Sequence, residues 1–203
     1  MTRAPDHVAT ATRERLLDAA AELIAELGWA AVTSRAVAER AGVNNGVVHY
    51  HFGSMDALRR AATFHATDPL MRDALEWFVA APTALDAYST LLSTVGQLDA
   101  SQAPTAVLLE AMLHAPRDPE IRALIAGMIA PFRGALEDKL RADADAGRVR
   151  DDIDVHGAAV ALAALIDGLM LHAMVDPQLA VDRAVEAVSG LLAAPDAQRH
   201  RVN

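Results

Sequence analysis

Along this chain apolar residues return every three or four positions in one segment after another, and no stretch alternates long enough to make a convincing strand. The first segment, 13–27, places Leu16, Leu17, Ala20, Leu23, Ile24 and Leu27 on one stripe. Such a pattern restricts the chain to packed helices. Composition agrees: alanine, the strongest helix former, fills 45 of the 203 positions, while glycine (11) and proline (9) are sparse. Disorder, a β-sandwich and a collagen-like repeat are excluded on these grounds. The absence of cysteine excludes disulfides, thiolate metal sites and thiol nucleophiles. The expected fold class is all-α.

Punctuation sets the expected helices. Thr12 reads as the N-cap of the first helix and Gly28 as its stop. Short helices follow at Ser34–Ala41, capped by Thr33, and in a third segment reaching Phe52, capped by Asn44, with Gly42-Val43 as the turn between them. Val37, Ala38 and Ala41 face inward. A fourth helix is expected over 55–66. Asp68-Pro69 and Asp118-Pro119 each place a capping residue before a proline at a first helical position, which predicts helices over 69–79 and 119–142. Others are expected over 84–98, 104–114, 155–174 and 180–192. Pro131 kinks or divides the longest of these. In the acidic run from Asp143 to Asp154, Arg148 stands where a calcium loop needs glycine, so a solvated connector is expected instead of a metal site.

Residues 157–175 are almost wholly apolar, but Asp167 lies near their middle, where a charge costs roughly 2.5–3.5 kcal/mol in a bilayer. A buried or interface helix is therefore expected, with no membrane partner. The N-terminal residues lack the continuous apolar segment of a signal peptide, and a cytoplasmic location is expected. Charge is unevenly placed. Residues 1–66 hold seven basic and seven acidic side chains, and the other 137 carry the whole net charge of −9. The first third is thus free of the net negative charge that would repel a polyanion.

The segment from Thr33 to Leu58 carries the chemistry. Two short helices joined by Ala-Gly-Val, after a longer amphipathic helix, make a helix-turn-helix. Its second helix presents Asn44, Asn45, Gly46, Val47 and Tyr50 at or near its amino end, while Val43, Val48 and Phe52 hold it from within. Asn45 has the geometry to pair with adenine, Val47 offers an apolar face to a thymine methyl, and Gly46 permits close backbone approach. Thr33 and Ser34 offer hydroxyls and free N–H groups to a phosphate, and Arg35 reaches a guanine edge or a phosphate.

The run TRERLLDAAAELIAELGWAAVTSRAVAERAGVNNGVVHYHFGSMDAL, residues 12–58, resembles the N-terminal DNA-binding domain of the tetracycline-repressor (TetR/AcrR) family. The resemblance implies a homodimeric, ligand-responsive regulator of transcription, usually a repressor, acting on double-stranded DNA with no cofactor and no catalysis. It places the DNA contacts on Thr33, Ser34, Arg35, Asn44, Asn45, Gly46, Val47, His49, Tyr50 and His51. Asn45 and Met55 stand where lysine is common, and His49 where a phosphate-binding tyrosine is common. The cations available to compensate are Arg59, Arg60 and Arg3 on the N-terminal arm. The implied organisation is an arm over 1–11, a three-helix helix-turn-helix domain over 12–66, a helical effector-binding and dimerisation domain over 67–194, and a tail over 195–203.

In the second domain the candidate effector-pocket residues are Trp77, Phe78, Met112, Met128, Phe132, Met170 and His172, with Glu110, His114 and Asp167 as polar anchors. An acidic anchor favours a cationic or amine-bearing ligand. Leu162, Leu165, Ile166, Leu169 and Ala173 form an apolar face that belongs either to a dimer interface or to the monomer's own core. Two other classes compete. An all-α enzyme needs a nucleophile with a base, and Ser93, His114 and Asp167 have no readable spacing for it. A constitutive DNA-wrapping protein needs the broad positive surface that the acidic remainder lacks.

Overall fold

The computed structural model describes residues 4–95, 103–176 and 178–194, and among them only helices and turns occur, apart from one isolated antiparallel bridge between Val149 and Ala193. In order these are α1 (Ala4–Leu27), α2 (Ser34–Ala41), α3 (Asn45–Phe52), α4 (Met55–Ala80), α5 (Ala84–Val95), α6 (Ala103–His114), α7 (Pro119–Asp145), α8 (Val155–Val175) and α9 (Val181–Leu192). Single 3-10 turns at Trp29–Ala31 and Ala115–Arg117 complete the set.

The caps expected for α2 are in place. The Thr33 hydroxyl accepts the Ala36 N–H at 3.2 Å, and Gly42 ends α2 in the left-handed region (φ 65°, ψ 41°), where its N–H reaches back to the helix. Asp154 likewise caps α8 by accepting the Gly157 N–H at 3.1 Å.

Three boundaries differ from expectation. α1 begins at Ala4, not at Arg13, so residues 4–11 are helix instead of an arm and Thr12 lies inside it. α4 runs unbroken from Met55 through Pro69 to Ala80, where two helices were expected. In the turns before Pro69 the Thr63 and Thr67 hydroxyls donate to the carbonyls of Arg59 (2.9 Å) and Thr63 (2.7 Å). α7 likewise passes through Pro131 as one helix. Leu98, expected in the helix after Ala84, lies outside the described residues.

The chain divides into two compact units. The first comprises residues 1–71 and 99–127, so α6 clusters with the N-terminal helices instead of with the second domain that the sequence predicts for it. Within it α1 packs on both α2 and α6, and α2 packs on α3. Leu16, Ile24, Val32, Val37, Val48 and Leu58 are fully buried, each such side chain contributing about 1.5–3 kcal/mol of hydrophobic stabilisation. Leu27 is the one member of the predicted stripe left exposed.

The second unit comprises residues 72–98 and 128–203. Its core gathers Phe78, Tyr88, Leu92, Leu136, Leu140, Ala159 and Leu162, with Leu165, Ile166, Leu169 and Ala173 packed against it. The apolar face of α8 is therefore core within the monomer. The acidic connector also needs correction at its first residue: Asp143 is buried, accepts the Ala84 N–H at 2.8 Å and pairs with Arg148 at 2.7 Å. No cluster of three metal-ligating side chains occurs among the described residues.

Candidate nucleic-acid interface

α3 is eight residues long and too short to hold itself together, so its position comes from packing. Val48, at 1% exposure, anchors it. Asn44, Asn45, Gly46, His49 and Tyr50 are exposed, and Val47 and His51 are half-buried. Tyr50 is 84% exposed, which makes it a surface group and not a lid on the core. A Cβ placed at Gly46 would meet nothing within 4 Å, so the backbone there is open to an approaching surface. Asn44 occupies the N-cap position, but its side chain accepts no backbone bond, contrary to the capping role expected of it. On α2, Thr33 and Arg35 are exposed and Ser34 is half-buried. The ten predicted contact residues thus fall on two packed helices, with polar groups outward and Val37, Ala38 and Val48 inward.

The predicted effector residues separate between the two units. In the first, Met112 is half-buried, Glu110 accepts the Trp29 N–H at 2.9 Å, and His114 stacks on the Trp29 ring at 4.8 Å. Glu110 and His114 therefore fasten α6 to the turn after α1. In the second unit Phe78 and Phe132 meet edge to face at 6.1 Å, Met170 is buried and Met128 half-buried. Trp77 and His172 lie on the surface. Asp167 is half-buried without a partner among the described residues, and burial pushes its carboxyl above the usual range. The sequence missed Tyr88. It is fully buried, its hydroxyl has no partner among the described residues, and burial pushes its pKa up to about 12. Its place in the stripe Ala84, Ala87, Tyr88, Leu91, Leu92 was readable, but the lack of a partner was not.

Residues 16–62 match the family model "Bacterial regulatory proteins, tetR family". Residues 87–195, more than half of the chain, match "BetI-type transcriptional repressor, C-terminal". The chain belongs to the TetR family of transcriptional regulators. It is 32% identical over 161 residues to the HTH-type transcriptional regulator BetI of Rhizobium meliloti, covering 79% of this chain and 76% of that protein. A transcriptional regulator of Streptomyces coelicolor is 31% identical, with a TM-score of 0.71 and coverage of 89% of this chain and 98% of that one. A regulator of Saccharomonospora viridis, solved in complex with choline, shares the fold at 22% identity and a TM-score of 0.76, over 89% of this chain and 95% of that one.

In this TetR-family regulator two of the cations expected to replace the missing lysines, Arg59 and Arg60, are already engaged. Arg59 donates to Asp56 at 2.8 Å and to the Val32 carbonyl at 2.7 Å. Arg60 pairs with Glu120 at 2.9 Å and Asp118 at 3.4 Å. Arg40 holds Glu22 and Glu26. Arg3 lies outside the described residues.

Proposed function

We propose that this regulator is a homodimeric repressor that grips a near-palindromic operator through α3 and releases it when a small organic cation binds the second unit. The observation that carries the DNA half is the exposed set Asn44, Asn45 and Tyr50 on a helix anchored by buried Val48. Asn45 and Val47 read base edges, while Thr33, Ser34, Arg35, His49 and His51 hold phosphates. Two copies associate through the apolar residues that α8 and α9 leave exposed, Val160, Leu171, Met174, Val175 and Leu191. A two-fold pair of helix-turn-helix units reads half-sites about 34–36 Å apart, or a little more.

The effector reading is supported by the core of the second unit. The unpaired Tyr88 hydroxyl shares one core with the Phe78–Phe132 pair. Aromatic faces attract a quaternary ammonium, and Asp167 supplies negative charge without a cation of its own. The choline bound to the Saccharomonospora viridis regulator, whose fold this chain shares, supports the same ligand class. In this role the protein works in the cytoplasm without catalysis, and α8, although long and apolar enough to cross a membrane, serves dimerisation.

Fluorescence anisotropy with the intergenic duplex beside the protein's own gene tests this, against a shuffled duplex of equal composition at low and near-physiological salt. Preference for the native duplex that survives the higher salt, and that choline reverses, is the expected result. Equal, salt-sensitive binding to both duplexes overturns the operator reading. Specific binding that choline leaves unchanged overturns the effector class.

A further inference from the structure

We propose that Arg13 of α1 is a phosphate-binding residue of the DNA interface, a role that rests on the operator-binding reading above. Its guanidinium carbon lies 5.2 Å from the centre of the Phe52 ring, at the last residue of α3. Phe52 in turn ends a row of rings, with His51 at 6.2 Å and Tyr50 at 5.2 Å from His51. A cation over an aromatic face is held by the ring's quadrupole, so the charge of Arg13 is fixed at the carboxyl end of α3 instead of sweeping through solvent. The exposed face of α3 thus acquires a positive charge that its own sequence lacks.

Among the described residues no carboxylate pairs with this guanidinium. The positions three and four residues away on α1 are Ala9, Thr10, Leu16 and Leu17, and Arg13 makes no ion pair with a described residue, whereas Arg40, Arg59 and Arg60 all do. Arg13 is also exposed. An exposed arginine that is held in place yet unpaired keeps its planar fork of donors for an external anion, and that fork matches phosphate oxygens. The neighbouring contact residues are neutral amides, a tyrosine and histidines. On the α1–α3 side of the helix-turn-helix, Arg13 is the permanent charge able to neutralise a phosphate, as Arg35 is on α2.

The test is the salt dependence of operator binding by the full-length protein, measured by anisotropy between about 50 and 200 mM salt. Unaltered protein is compared with Arg13→Gln, Arg13→Lys and Arg15→Gln. Arg15 is also exposed but sits about 200° further around the helix. In Arg13→Gln the slope of log Kd against log salt becomes shallower by about 0.9 per half-site, so each half-site loses about 3.5-fold less affinity across that range. Arg13→Lys keeps the slope, and so does Arg15→Gln. Unchanged helical circular dichroism and Tm in Arg13→Gln separate this effect from misfolding. Specific binding with an unaltered slope in Arg13→Gln, or an equal loss in Arg15→Gln, overturns the role of Arg13 alone. Absence of specific binding by the unaltered protein overturns the operator reading and this role with it.

Discussion

The backbone N–H of Trp29 donates to the Glu110 carboxylate across 81 residues of sequence, at 2.9 Å. The same carboxylate lies against Gly28, which holds a positive φ of 81°, and His114 one turn further along α6 covers the indole. Three groups on two distant segments thus fix how α6 sits on the end of α1. Glu110→Ala leaves a part-buried donor without its acceptor and costs about 1–3 kcal/mol, while Glu110→Gln keeps a carbonyl acceptor and costs under about 1 kcal/mol. Urea unfolding followed by the fluorescence of buried Trp29 measures both. Equal stability of Glu110→Ala and the unaltered protein would remove this bond from the account of how α6 is held.

On α3 Val48 and Tyr50, on opposite faces of one turn, have opposite roles, and mutation separates them. Tyr50→Ala removes a side chain that is 84% exposed, so stability changes by less than about 0.5 kcal/mol while operator affinity falls several-fold. Val48→Ala opens a hole beneath the helix and costs about 2 kcal/mol. Thermal melts and anisotropy on the two variants check the pair. A large loss of stability in Tyr50→Ala shows that it packs, contrary to its exposure.

How much of this was legible in the sequence differs from residue to residue. α2 and α3 were readable because Thr33, Gly42 and Gly53 mark their ends and Val37 and Val48 mark their inner faces. The true start of α1 was not, because residues 4–11 carry no apolar stripe to signal a helix. A proline after an aspartate reads equally as a helix start or an interruption, and at Pro69 the helix simply continues. Of the candidate site, the exposed polar face of α3 was legible. That Arg60 is engaged by Asp118, 58 residues away, and that Arg13 settles over Phe52 are consequences of packing which no local spacing encodes.

Tyr88 predicts a trade between stability and response. Its buried hydroxyl has no hydrogen-bond partner among the described residues, which penalises the folded state by about 1–3 kcal/mol relative to an apolar ring of the same shape. Tyr88→Phe therefore raises the unfolding free energy by about 1 kcal/mol. If the hydroxyl exists to meet the effector, the same variant needs more choline for half-release of DNA. Denaturant melts and choline titrations of the protein–DNA complex are the two readouts. A Tyr88→Phe protein less stable than its parent shows that the hydroxyl has a partner after all.

Asp167 makes the corresponding prediction with pH. Burial raises its folded pKa above the unfolded value, so the folded state favours the protonated acid. The contribution to stability is greatest below the unfolded pKa, about 3.9, and is lost as pH rises through the folded value. At neutral pH the charged carboxylate works against folding. Asp167→Asn removes that penalty, and because the group is half-exposed the gain is discounted to under about 1 kcal/mol. At this chain length that corresponds to about 1–3 °C in Tm at pH 7, shrinking as pH falls towards about 4. The same substitution weakens stabilisation of the protein by choline if the carboxylate is the counter-charge for a cation. Differential scanning calorimetry across pH, with and without choline, reads both effects. A Tm that falls at pH 7 in Asp167→Asn means that the carboxylate is paired in solution, and the case for it as a cation-binding group is lost.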